Sequence, residues 1–264
     1  MQQVTSADGT RIAFEQLGEG ASVLLITGAL NDRTSRAAGL PLARALASQY
    51  RVTAFDRRGR RDSTDTPPYS IQREVEDVAA LLAQLGGKPF VYGHSSGGLL
   101  ALEAAHAGLP IQKLALYEPP LALGEGRAPL PPDLVERLGT LVREDHRSDA
   151  VALFLTRAVG IPEPAVQGMT QAPHWPGLMA LAHTLPYDAE LAEDPAAILA
   201  RALELRVPAR VFGGERSPTW MKLAVEKLSA ALPGAERVLL PGQTHDVDPV
   251  QLAPLLASFF GGNA

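Results

Sequence analysis

The chain has 264 residues with a formal net charge of −5, 46% of them hydrophobic and 20% charged. That balance supports a large buried core and excludes a disordered chain, and the acidic charge offers no general attraction to a phosphate backbone, so nucleic acid is not an expected partner. Cysteine is absent, which rules out disulfides, thiolate metal sites and a cysteine nucleophile.

The opening residues Met1 to Ser6 lack a basic stretch followed by an apolar one, and no run of eighteen apolar residues occurs. A soluble, cytoplasmic chain without a membrane span is expected. Gln2 to Ser6 and Arg11 to Leu17 read as extended runs joined at Asp8-Gly9, a hairpin signal. Ser22 to Ile26 and Arg51 to Phe55 are continuous apolar strands of the kind buried on both faces of a parallel sheet, with Leu40 to Ser48 as a helical crossover. Ile71, Val75, Val78, Leu81, Leu82 and Leu85 follow helical spacing, and Gly86-Gly87 stops that helix.

The next stretch organises the chain. Pro89 to Tyr92 is an apolar run, Gly98 to Ala107 a small-residue helix, and between them lies Gly93-His94-Ser95-Ser96-Gly97, a G-x-S-x-G pattern. Between a strand and a helix this pattern forms a nucleophile elbow: the glycines allow a sharp turn, the middle serine stands clear of the sheet, and N–H groups at the helix start face a developing oxyanion. Ser95 is the expected nucleophile.

Ile111 to Tyr117 is a further strand, ended by Glu118-Pro119-Pro120. From Leu121 to about Arg206 the pattern is helical and interrupted by prolines, with no convincing strand. Alternation resumes with Val207 to Phe212, a helix carrying Trp220, Leu223, Ala224 and Leu228, the strand Glu236 to Leu240, and a helix from Pro249 to Phe260. Residues 1–120 and 206–264 thus form one discontinuous core, and residues 121–205 a helical cap over it. A hydroxyl nucleophile needs a base. Of six histidines, His245 follows the last strand in the loop Pro241 to Asp246, beyond a strand's carboxyl end as Ser95 is. His94, His106, His146, His174 and His183 are read as structural or pocket-lining.

In the order of these elements the chain resembles the α/β-hydrolase superfamily across nearly its whole length. The hairpin, the Thr27-Gly28-Ala29 loop, Asp56-Arg57-Arg58-Gly59, the elbow and His245 fall in family sequence. The resemblance implies a mostly parallel eight-stranded sheet flanked by helices, with a helical cap inserted after the sixth strand. It also implies an oxyanion hole made by the backbone N–H groups of Ala29 and Ser96. Two positions depart from the pattern: Thr27 stands where many members have histidine, and Arg61 where many have glycine. Asn31 and Asp32 are placed to reach the pocket, although polar residues in such a turn usually satisfy local backbone.

The usual position of the third triad member is occupied by Ser217, which carries no charge to stabilise an imidazolium and instead suits a helix N-cap, with Pro218 at the first helical position. Glu215, Asp246 and Asp248 are alternative acids. Glu118 is preferred, because it follows the strand after the elbow, where some members, including a group of haloalkane dehalogenases, place theirs. The expected activity is hydrolysis of an ester, lactone or related acyl compound with Ser95, His245 and Glu118 as the triad, no cofactor or metal, and an apolar acyl substrate. A serine at the elbow argues against direct alkyl displacement by a carboxylate. The alternative is a non-catalytic small-molecule-binding or interaction protein on the same fold.

Overall fold

A computed structural model describes residues 1–124 and 126–262. Eight strands form one sheet in the order β1-β2-β4-β3-β5-β6-β7-β8. They are β1 (Gln2–Thr5), β2 (Arg11–Leu17), β3 (Ala21–Ile26), β4 (Tyr50–Phe55), β5 (Phe90–His94), β6 (Leu114–Tyr117), β7 (Ala209–Gly214) and β8 (Glu236–Leu240). β1 and β2 pair antiparallel, as do β2 and β4, and every other pairing is parallel. The expected hairpin closes where Ser6 N–H donates to Thr10 O and the Asp8 carboxylate accepts from Thr10 N–H.

Continuous apolar strands are buried on both faces because helices cover both. One face packs Leu24, Val91, Leu116 and Val211 against α2 (Ile71–Leu85), α3 (Ser96–His106), α9 (Pro195–Glu204) and α10 (Thr219–Ala231). On the other, Leu25, Tyr92, Ala115 and Phe212 pack against α1 (Leu40–Leu46) and α11 (Pro249–Gly261). Alternate residues of one strand therefore serve two cores, the period of two that a pleated strand imposes. As the sequence predicts, α2 ends at Gly86, whose φ of 71° places it in the left-handed region and whose N–H closes on Leu82 O. The strand before Tyr117 is shorter than expected: Ile111 to Lys113 form a turn, with Ile111 N–H donating to Leu109 O, and pairing begins at Leu114.

Between β6 and β7 lie α4 (Leu134–Arg143), α5 (Arg147–Phe154) with a π-helical turn at Leu155–Val159, α6 (Glu163–Met169), α7 (Trp175–Ala180) with a 3-10 turn at Ala182–Thr184, α8 (Leu185–Leu191) and α9. Those from α4 to α8 share a hydrophobic cluster of their own, built on Leu138, Val151, Phe154, Trp175 and Leu185. The last of the series, α9, contributes Ile198 and Ala202 to the main core instead. Among the described residues no helix is long and apolar enough to cross a membrane.

Candidate active site

Parallel strands in register bring their carboxyl ends to one edge, where ligands of open α/β sheets gather. His94 is opposite Tyr117, Tyr117 opposite Phe212, and Gly214 opposite Leu240. The ladder extends one residue further, with Ser95 N–H donating to Tyr117 O and Glu118 N–H to Phe212 O. Ser95 and Glu118 thus leave adjacent strands at the same level.

Ser95 has φ 56° and ψ −129°, a combination disfavoured for a residue with a Cβ and costing on the order of 1–3 kcal/mol. The surroundings enforce it. α3 crosses so close beneath the elbow that a Cβ on Gly97 would lie 2.4 Å from Ile26 O, and one on Gly93 would lie 2.5 Å from Gly97 O. Ser95 O accepts the Gly98 N–H at 2.8 Å in the first turn of α3. Because the carbonyl and N–H of one trans peptide point in opposite directions, that bond turns the Ser96 N–H out of the helix start.

The loop after β3 closes over the elbow, since a Cβ on Gly28 would lie 2.7 Å from Ser95 Cβ and 3.3 Å from its Oγ. Leu30 has φ 56°. Asn31 Nδ2 donates to Ala29 O at 2.6 Å, and Arg60 Nη1 donates to Gly28 O at 2.5 Å and to Asn31 O at 3.0 Å. Asn31 lines the cavity. Asp32 instead accepts from the Thr34 N–H and hydroxyl and pairs with Arg61, satisfying its own turn.

His245 lies in the loop between β8 and α11, and its Nδ1 is 2.8 Å from Glu118 Oε2. The other oxygen, Oε1, accepts the Gly214 N–H at 2.7 Å. Glu118 is buried with φ 44°, a left-handed turn that swings its side chain across β7 toward His245. The other carboxylates are engaged elsewhere. Asp248 accepts from Val250 N–H and caps α11, Glu215 accepts from Gly242 N–H, and the exposed Asp246 faces Arg36.

Two neighbours hold the His245 backbone. Tyr117 Oη donates to Thr244 O at 2.7 Å, and His94 Nε2 donates to His245 O at 2.9 Å. Burial, aided by the nearby His245, depresses His94 to about 3, so it remains neutral and keeps this donor role over the working range. The sequence reads His94 as structural or pocket-lining; its ring lies 4.8 Å from that of His245, centroid to centroid, and borders the same cavity.

Ser217 corrects an expectation of the sequence. The N-cap of α10 is Pro218, the helix begins at Thr219, and the buried Ser217 Oγ has no hydrogen-bond partner among the described residues. The expected motif is shifted by one residue because Pro218 has an extended ψ of 148°, outside the helix.

A buried network of arginines and acids beside the site is not evident from the sequence. Arg57, Arg58 and Arg60 are all buried. Arg57 forms a two-pronged pair with Glu74 and contacts Asp188 of α8, Arg58 pairs with Asp77 and Asp8, and Arg60 grips both oxygens of Asp188. Burial drives the Asp188 carboxyl up, but Arg60, Arg57 and the Ser96 hydroxyl at 2.7 Å hold it below the usual carboxylate range. Acids at 74 and 77 on the core-facing side of α2 were the available signal. The departure at position 61 also has an explanation: Arg61 adopts φ 45°, the conformation that glycine adopts without strain.

Ser95, His245, Asn31 and Asp188 all border a cavity of about 600 Å³, whose walls are largely apolar. The insertion contributes Phe154, Leu155, Val159, Met169 and Leu178 to it, and Trp220 of α10, beneath the Arg127 guanidinium 4.2 Å from the ring centroid, adds another wall. Among the described residues no group of three or more His, Asp or Glu side chains is arranged to hold a metal ion.

Comparison with known proteins gives matches throughout the chain. A model of the alpha/beta hydrolase family matches residues 23–256. The crystal structure of an alpha/beta hydrolase from Sphaerobacter thermophilus is 47% identical, covers 98% of this chain and 100% of that one, and superposes with a TM-score of 0.91. An enol-lactonase from Burkholderia xenovorans shares the fold at 21% identity, covering 99% of this chain and 100% of that one with a TM-score of 0.75. A proline iminopeptidase from Pestalotiopsis fici is 29% identical over 113 residues, a stretch that spans 40% of this chain and 39% of that protein.

Proposed function

The chain belongs to the alpha/beta hydrolase family, and from that premise we propose that it is a serine hydrolase acting on an ester, lactone or related acyl compound. The observation that carries this reading is the buried Glu118 carboxylate 2.8 Å from Nδ1 of His245, which borders the same cavity as the elbow serine. A charge acceptor behind a ring histidine is what an imidazole needs when it takes a proton from a hydroxyl.

In the proposed reaction, Ser95 Oγ attacks the carbonyl carbon of the substrate while His245 Nε2 accepts its proton. The Ala29 and Ser96 N–H groups donate to the resulting oxyanion. Collapse of the tetrahedral intermediate breaks the bond to the leaving group, which departs with the proton from His245. Water then gives a proton to His245 and attacks the acyl-enzyme, and a second collapse breaks the bond to Ser95 Oγ, which takes that proton from His245 as the acid is released. Glu118 keeps the Nδ1–H tautomer and stabilises the imidazolium in each half. Residues 121–205 act as a cap whose apolar side chains supply the acyl pocket, while α9 anchors it to the core. The largely apolar walls favour an apolar acyl group.

The test is turnover of chromogenic esters of increasing acyl length by the full chain and by Ser95→Ala. Saturable hydrolysis that disappears in the variant supports the reading. A folded wild type that turns over no ester or lactone in the series would favour a binding protein on this fold.

A further inference from the structure

We infer that Arg60 is a positioning residue for the oxyanion hole, anchored from the helical insertion by Asp188. The inference rests on the serine-hydrolase reading above. Ala29 N–H shares a peptide unit with Gly28 C=O, and Arg60 Nη1 donates to that carbonyl at 2.5 Å. The planar trans peptide then directs Ala29 N–H to the opposite side. The same nitrogen donates to Asn31 O at 3.0 Å, so one guanidinium spans the turn that carries Ala29. A cation on the carbonyl also polarises the peptide, which strengthens its N–H as a donor.

Arg60 is itself held. Its Nη2 donates to both oxygens of Asp188, at 3.1 and 2.8 Å, and Asp188 in turn accepts from the Ser96 hydroxyl at 2.7 Å. Ser96 supplies the other proposed oxyanion donor. Arg60 therefore ties the Ala29 peptide, α8 of the insertion and the first residue of α3 into one network. Packing alone does not account for it. The Arg60 Nε is buried without a partner among the described residues, and a buried ion pair is commonly no more stabilising than apolar side chains of similar volume. Its fork geometry is suited to fixing two carbonyls and a carboxylate together.

Wild type, Arg60→Lys, Arg60→Gln and Arg58→Lys would be compared. Arg58→Lys is the control, because Arg58 joins Asp8, Asp77 and Arg73 O without touching the oxyanion loop. Folded active sites are counted with a fluorophosphonate, and kcat, KM and affinity for a trifluoromethyl ketone are measured per site. In the Arg60 variants kcat falls about 10- to 100-fold, KM changes by less than about threefold, and ketone affinity falls in parallel with kcat/KM. Arg58→Lys loses thermal stability with kcat per site unchanged.

The inference is overturned if the folded Arg60 variants keep wild-type kcat and ketone affinity per site, or if Arg58→Lys shows the same catalytic loss. Should both Arg60 variants fail to fold, Asp188→Asn, which leaves the guanidinium facing a neutral acceptor, is read by the same criteria. A wild type that neither turns over esters nor reacts with the fluorophosphonate would overturn the serine-hydrolase reading itself, an outcome distinct from unaffected Arg60 variants in an active enzyme.

Discussion

Replacing Glu118 by glutamine perturbs the proposed triad with little change of shape. Two consequences follow from the local geometry. First, the carboxylate charge beside the imidazolium is removed: with charge centres about 4 Å apart and an effective dielectric near 20, their attraction is about 4 kcal/mol, or about three decades in rate. Second, Gly214 N–H donates to Oε1 and Oε2 faces Nδ1. In the Glu118→Gln variant the amide oxygen would be drawn to the Gly214 side, leaving the NH₂ toward Nδ1. That orientation favours the tautomer with a proton on Nε2, which cannot accept one from Ser95. Together these effects predict a fall in kcat approaching 10⁴-fold, comparable to loss of a triad aspartate. The assay is steady-state ester hydrolysis by Glu118→Gln, Asp246→Asn and Asp248→Asn, with folding checked by circular dichroism. A Glu118→Gln rate within about tenfold of wild type, together with collapse of either aspartate variant, would refute the reasoning.

His94 gives a prediction about pH and stability. Its ordinary value of 6.5 falls to about 3 on folding, so the unfolded chain binds the proton more tightly, and stability present above 6.5 is lost as pH falls toward 3. Between pH 7.5 and 5 this group alone removes about 2 kcal/mol, and His94→Gln should flatten the urea-derived stability profile by that amount. Asp77 acts in the opposite sense, because burial lifts its carboxyl to about 6, so the difference between the two proteins is the quantity to measure. Identical pH profiles would contradict the account of His94. Arg61→Gly should raise stability by about 0.5–1 kcal/mol in denaturant titration by relieving the left-handed strain, because the partly exposed pairs with Asp32 and Asp62 contribute little. A loss of more than about 1 kcal/mol would show that those pairs outweigh the backbone term.

Much of the fold was legible because its signals are local. Continuous apolar strands, the Asp8-Gly9 turn, the Gly86 stop and the glycines around Ser95 each act within a few residues. That His245 and Glu118 come together was legible one step further out, because strand ends in a parallel sheet converge whatever their separation in sequence. The buried arginines were not. Arg60 meets Asp188 across 128 residues, and nothing in Arg57-Arg58-Gly59-Arg60-Arg61 distinguishes a solvated basic run from one neutralised by a distant helix. His94 was legible only as structural or pocket-lining for a related reason: the group it holds belongs to another loop, here the carbonyl of His245.

The central claim is that Ser95 is the nucleophile, and intact-mass and peptide mapping after reaction with a fluorophosphonate test it most directly. One adduct per chain is predicted, located on Ser95, absent in Ser95→Ala and formed far more slowly in Glu118→Gln. An adduct on another residue, or none on a folded wild-type chain, would contradict the account.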